Sequence, residues 1–204
     1  MSFLVKPVLT GERTVLRPFT EADAEAMWRI LEDPEVLRFT SDPSGDPADG
    51  PSYDSVRSWY ATRTEQPDRL DLAVTDRETG EVVGEVVLNE WEPHHRSCNF
   101  RTLIGPRGRD RGLGTEAVRL IVGHGFERLG LHRISLEVYG DNPRARRAYE
   151  KVGFVTEGVL RESSLREGAW VDEVQMAILD REWARHRGRP EEPDTVDGGL
   201  GARG

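Results

Sequence analysis

The chain has 204 residues, 36% of them hydrophobic and 32% charged, with a formal net charge of −9. That length suits one domain with a core of its own, and no apolar run approaches the roughly 18 residues that cross a bilayer. The opening residues Met1 to Pro7 are too short for a secretory leader, and the single cysteine, Cys98, rules out an internal disulfide and a thiolate metal cluster, so the expected compartment is the cytoplasm.

In chain order, Thr14 to Pro18 reads as a short strand, and Thr20 to Asp23 as a helix start, with Thr20 as cap and Asp23 an imperfect capping-box partner. Ala26, Met27, Ile30 and Leu31 follow at helical spacing until Asp33-Pro34 interrupts. Residues 40–54 are dense in Pro, Gly, Asp and Ser and read as a long surface loop. Val56, Trp59, Tyr60 and Arg63 then suit a second amphipathic helix. Strands are expected over Leu70–Thr75 and Glu81–Trp91, with a turn at Glu78-Thr79-Gly80 between them, and over Ser97–Ile104.

After a glycine-rich turn, Val118, Ile121, Val122, Phe126 and Leu129 mark one face of a helix ending near Gly130. His132–Tyr139 is a further strand. Asn142 is a strong N-cap, Pro143 a favoured first helical residue, and Gly153 a stop, which bounds a short helix ending at Val152. Phe154–Glu162 and Trp170–Leu179 make a last hairpin around Glu167-Gly168. From Arg187 on, Gly, Pro and Asp dominate without periodicity, as expected of a disordered tail.

Charge is unevenly spread. Between Arg96 and Phe154 stand eleven Arg and one Lys against six acids, inside an otherwise acidic chain. A local basic segment fits a small polyanion, whereas a nucleic-acid binder is more often basic throughout. The segment holds the most informative stretch, Leu103-Ile104-Gly105-Pro106-Arg107-Gly108-Arg109-Asp110-Arg111-Gly112-Leu113-Gly114-Thr115. A strand runs into glycines and arginines, and a helix begins at once. Such a turn offers unpaired N–H groups and the positive end of a helix dipole to an anion. The dinucleotide and triphosphate-loop spacings are both absent.

Arg109-x-x-Gly112-x-Gly114 at a helix start, followed by Asn142, Tyr149 and Gly153-Phe154, resembles the GNAT acetyltransferase superfamily. Leu9 to Pro18, Gly114-Thr115-Glu116-Ala117, Gly158-Val159-Leu160-Arg161 and Gly168 with Asp172 are similar to the subgroup that includes the ribosomal-protein-alanine N-acetyltransferases. The resemblance covers roughly residues 8–183, read as one GNAT domain. It implies an α/β (α+β) fold with a mixed, mostly antiparallel sheet and a splayed parallel pair at the cofactor cleft. It implies acetyl-coenzyme A as co-substrate, no metal, and direct transfer to a primary amine, on a small molecule or a protein N-terminus.

On that resemblance, backbone groups of Thr102, Leu103 and Ile104 hold the pantetheine arm. The amides of Arg109, Asp110, Arg111, Gly112, Leu113, Gly114 and Thr115 hold the pyrophosphate. The loop arginines, with Arg146 or Arg147, reach the ribose phosphate. Tyr149 is the general-acid candidate, since its phenol stays protonated at neutral pH. Asn142 both caps its helix and bonds pantetheine. Glu85, Glu90, Glu137 and Asp172 are the acids on or beside strands that face the acceptor, with Glu85 and Glu137 the leading base candidates. Some relatives carry Glu on the strand before the loop, where this chain has Asn99.

No Cys or Ser arrangement suggests an acyl-enzyme. The adjacent His94-His95 lacks the spacing of a metal site and reads as a loop pair, and Cys98 as a packed strand residue. Trp59 and Trp91 are candidates for the acceptor pocket. A sensor that binds acyl-coenzyme A without turnover, and transfer of another acyl group, are the alternatives. Neither nucleic acid nor membrane is an expected partner; a homodimer joined through the last hairpin is, by analogy alone.

Overall fold

The computed structural model describes residues 3–40 and 52–187. Eight strands form one sheet in the order β1-β2-β3-β4-β5-β6-β8-β7. They are β1 (Leu9–Thr10), β2 (Thr14–Pro18), β3 (Leu70–Asp76), β4 (Val82–Glu92), β5 (Ser97–Ile104), β6 (Arg133–Tyr139), β7 (Val155–Arg166) and β8 (Ala169–Leu179). Every neighbouring pair is antiparallel except β5 and β6.

Among the described residues six α-helices cover the two faces: α1 (Ala24–Leu31), α2 (Pro34–Thr40), α3 (Tyr53–Thr62), α4 (Leu113–Glu127), α5 (Pro143–Val152) and α6 (Asp180–His186). Val118, Ile121 and Val122 of α4 and Val152 of α5 bury against Leu70, Leu72 and Val74 of β3 and Ile134 and Leu136 of β6. On the other face Met27, Ile30, Val36, Val56 and Tyr60 of the first three helices pack with Ala73 and Leu103. With both faces covered, β3 is buried along its whole length, Asp71 and Thr75 included.

α2 was expected to be an interruption. Pro34 instead opens it, as proline's fixed φ allows at a first helical position, and Asp33 Oδ1 accepts from the Val36 amide at 3.1 Å. The expected loop at 40–54 shortens at both ends: Thr40 closes α2, Ser52 caps α3, and residues 41–51 lie outside the described residues. Phe3, ahead of residue 8, packs edge-on against Trp91, and α6, which buries Trp183 on Phe126, runs to His186. Of the expected tail, residues 188–204 lie outside the described residues.

The parallel pair positions the site. β5 and β6 pair only at Ser97–Asn99 with Arg133–Ser135, although both strands continue well beyond. β5 instead stays with β4, opposite Gly84 and Glu85 at its far end. A Cβ at Gly84 would stand 2.2 Å from the Leu103 carbonyl oxygen, so glycine is what lets β5 lie this close to β4. The two strands part, and a cleft opens between them.

Candidate active site

The cleft has a volume of about 1670 Å³ and is walled by β4, β5, β6, α2, the first turns of α4 and the length of α5. Pockets for one small ligand typically span about 300–1,000 Å³; this open cleft is larger.

At the end of β5 the chain turns through Asp110 (φ 57°) and Gly112 (φ 77°), both left-handed, and α4 begins at Leu113. The first helical bond runs from the Glu116 amide to the Gly112 carbonyl at 3.1 Å. The amides of residues 109–115 donate to no backbone acceptor among the described residues. Seven N–H groups thus surround one helix N-terminus, an arrangement that binds phosphate. The glycines have separate reasons. Gly112 supplies the positive φ, while a Cβ at Gly108 or Gly114 would stand 2.8 or 3.2 Å from the Ile104 side chain.

The loop arginines, expected to reach the ribose phosphate, are each paired with an acid of the chain. Arg109 donates Nη2 to Asp33 at 2.5 Å, Nη1 to Glu35 at 2.9 Å, and Nε to the Ile104 carbonyl at 3.0 Å. Arg111 pairs with Asp76 at 2.7 Å and Arg107 with Glu81 at 2.6 Å. Arg146 bonds Glu150 at 2.9 Å and takes no part in the cleft wall, where Arg144, Arg147 and Arg119 stand instead. Arg144 shares Glu35 with Arg109, and Arg38 meets Asp141 at 2.8 Å. α2 is thereby tied to both lips of the cleft.

Thr102, Leu103 and Ile104 line the cleft beyond the stretch of β5 that pairs with β6, with the Ile104 carbonyl already taken by Arg109 Nε; Thr102 also donates Oγ1 to the Glu85 carbonyl at 2.7 Å. Leu113 is not part of the cleft wall, and its side chain is buried in the core. Asn142 lines the cleft and accepts from the Ala145 amide at 3.1 Å. Tyr149 reaches the same space from α5, packed against Phe100 and Phe154, its hydroxyl making no hydrogen bond among the described residues. Burial raises its pKa, so the phenol keeps its proton at neutral pH.

Of the acids, Glu85, Glu90 and Glu137 line the cleft. Glu85 accepts from the Tyr60 hydroxyl at 3.0 Å. Burial, with Asp71 nearby, pushes its pKa up to about 7, against the lowering effect of that hydrogen bond. Glu137 is exposed and bonded by Gln175 at 3.4 Å. Asp172 does different work: its carboxylate takes the Glu162 amide at 2.8 Å, where φ is 52°. Neither Trp59 nor Trp91 forms part of the cleft wall; Trp59 carries the Arg63 guanidinium over its ring at 3.7 Å. His94 and His95 are exposed in the turn before β5, and burial pushes the Cys98 thiol up to about 12. No group of three or more potential metal ligands occurs among the described residues.

A family model described as an acetyltransferase (GNAT) domain matches residues 13–155. The uncharacterised N-acetyltransferase YoaA of Bacillus subtilis is 28% identical over 173 residues, covering 85% of this chain and 97% of its own. Spermidine N(1)-acetyltransferase of Vibrio cholerae is 30% identical over 132 residues, covering 65% of this chain and 76% of its own. Among solved structures, spermidine N-acetyltransferase from Vibrio cholerae in complex with CoA and spermine superposes with a TM-score of 0.74 at 25% identity, over 85% of this chain and 99% of that one.

Proposed function

The chain belongs to the GNAT acetyltransferase family, and from that premise we propose that it carries acetyl from acetyl-coenzyme A directly to a primary amine within one ternary complex. The observation that carries the reading is the set of seven unpaired amides at residues 109–115, placed where β5 and β6 part. The residues present fit the coenzyme: amides and a helix N-terminus for its pyrophosphate, an open strand edge for its pantetheine arm, and Arg144 and Arg147 beside them for its remaining phosphate. Bound there, the coenzyme supplies an activated thioester carbon.

The protein's own groups divide the rest of the work. Glu85, with its pKa near 7, takes a proton from the attacking amine, and Glu137 is the second candidate for that task. The nitrogen–carbon bond forms as the carbon–sulfur bond breaks, and Tyr149 gives its proton to the departing sulfur. A general base works best with a pKa near the operating pH, which favours Glu85. The cleft's size supports a complex holding both substrates at once. The amine belongs to a small molecule or a protein N-terminus.

The test is release of free thiol from acetyl-coenzyme A, followed with DTNB across a panel of polyamines, amino acids, peptides and amine-bearing antibiotics. Acceptor-dependent release is the expected result. Coenzyme binding without turnover on any amine would instead identify a sensor.

A further inference from the structure

Arg166, the last residue of β7, is 8% exposed, and its Nε and Nη1 are buried without a hydrogen-bond acceptor among the described residues. Buried donors in native proteins are nearly always paired, and a buried cation lacking an anion is costly. The guanidinium lies 4.1 Å from the Tyr139 ring centroid and 5.8 Å from that of Phe39. The ring faces recover part of the cost. They do not satisfy the N–H groups, which point outward in the guanidinium plane.

Tyr139 and Phe39 both line the cleft. The register puts Arg166 on the same side of the sheet, since Arg166 faces Ala169, Tyr139 faces Glu173, and positions 169 and 173 share a face of β8. Glu85, Glu137 and Glu173 line the cleft as well. One part of this space therefore gathers carboxylates, with Arg101 near Glu85, and the Arg166 guanidinium, not itself part of the cleft wall, lies over the lining ring of Tyr139, roughly 13 Å along β8 from Glu173 at about 3.3 Å per residue.

We infer that the acceptor carries a carboxylate as well as its amine, and that Arg166 binds that carboxylate. The inference rests on the acetyl-transfer reading for the existence of an acceptor. A carboxylate offers the planar, two-oxygen match that a guanidinium fork takes. A purely polycationic amine would satisfy the acids and leave Arg166 as it stands.

The test measures binding rather than turnover. Calorimetry on the coenzyme A-saturated protein compares acetamido acids of one to six methylenes with their carboxamides, for wild type, Arg166→Met and Arg166→Lys. At the best-fitting length the acid is expected to bind at least about tenfold more tightly than the amide. Arg166→Met brings that ratio near one, and Arg166→Lys leaves it between; unchanged coenzyme A affinity shows that both variants are folded. Should a variant fail to fold, the wild-type acid-to-amide ratio decides alone. Equal affinity at every length, or no binding by either series, overturns the inference. Acid preference without thiol release from any amino acid would sink the transferase reading and leave the Arg166 site standing. Thiol release without acid preference would do the reverse.

Discussion

The Tyr60 hydroxyl donates to Glu85 Oε2 at 3.0 Å, joining α3 of the helical layer to β4 at the floor of the cleft. This bond stabilises the ionised carboxylate and so lowers a pKa that burial raises. Tyr60→Phe removes it and raises the Glu85 pKa further. The expected outcome is an acidic limb of the kcat/KM profile that moves from near pH 7 to higher pH, by up to about one unit, with coenzyme affinity unchanged. An unmoved limb would show that Glu85 is not the base.

Glu85 also sets a stability cost with a definite sign. Its folded pKa of about 7 exceeds its ordinary value of 4.5, so the folded state holds the proton more tightly than the unfolded one. Stability from this group is full below about pH 4.5 and falls as pH rises through 7. Glu85→Gln is expected to lose activity yet gain on the order of 2 kcal/mol relative to wild type at pH 8, with no gain at pH 4. Denaturant titrations at the two pH values check it.

Glu116 behaves oppositely. Burial alone would raise its pKa, but the Thr14 hydroxyl and the amides of Thr14, Arg13 and Glu12, all within 2.9 Å, hold it below the usual carboxylate range. Its contribution is present above the unfolded pKa and lost as pH falls through the folded one. Glu116→Gln is expected to cost about 1–3 kcal/mol at pH 7, less at pH 3, with the β1–β2 turn loosened in hydrogen exchange.

Tyr149→Phe leaves no orphaned partner, because the hydroxyl bonds to nothing among the described residues. Stability should stay within about 0.5 kcal/mol. The kcat should fall about 10²-fold or more, while coenzyme A binds as before; an unchanged kcat would remove Tyr149 from the acid role.

How much of this was legible in the sequence depends on the range of the forces involved. α5 was readable at both ends, because Asn142, Pro143 and the left-handed Gly153 are local signals that act within one turn. The left-handed turn into α4 was readable for the same reason: glycine freedom and a helix start are properties of adjacent residues. The arginines were not. The partners of Arg109 lie 74 and 76 positions away, so nothing near the loop shows that its guanidinium is engaged. α2 carried a legible signal in Asp33-Pro34, which fits an N-cap followed by a first helical proline as well as it fits a break. Arg166 had no signal at all: its burial depends on Phe39 and on a register set by β8. Asp172 and Trp59 show the converse, residues of suggestive type that the fold employs elsewhere.

The central claim is that the backbone amides of residues 109–115 grip the coenzyme's pyrophosphate, and amide chemical shifts measured during titration with coenzyme A test it most directly. The account predicts saturable shifts concentrated on those seven residues, lost in Gly112→Val, whose side chain opposes the φ of 77°. Saturating binding that leaves those amides unmoved, or no binding at all, would contradict it.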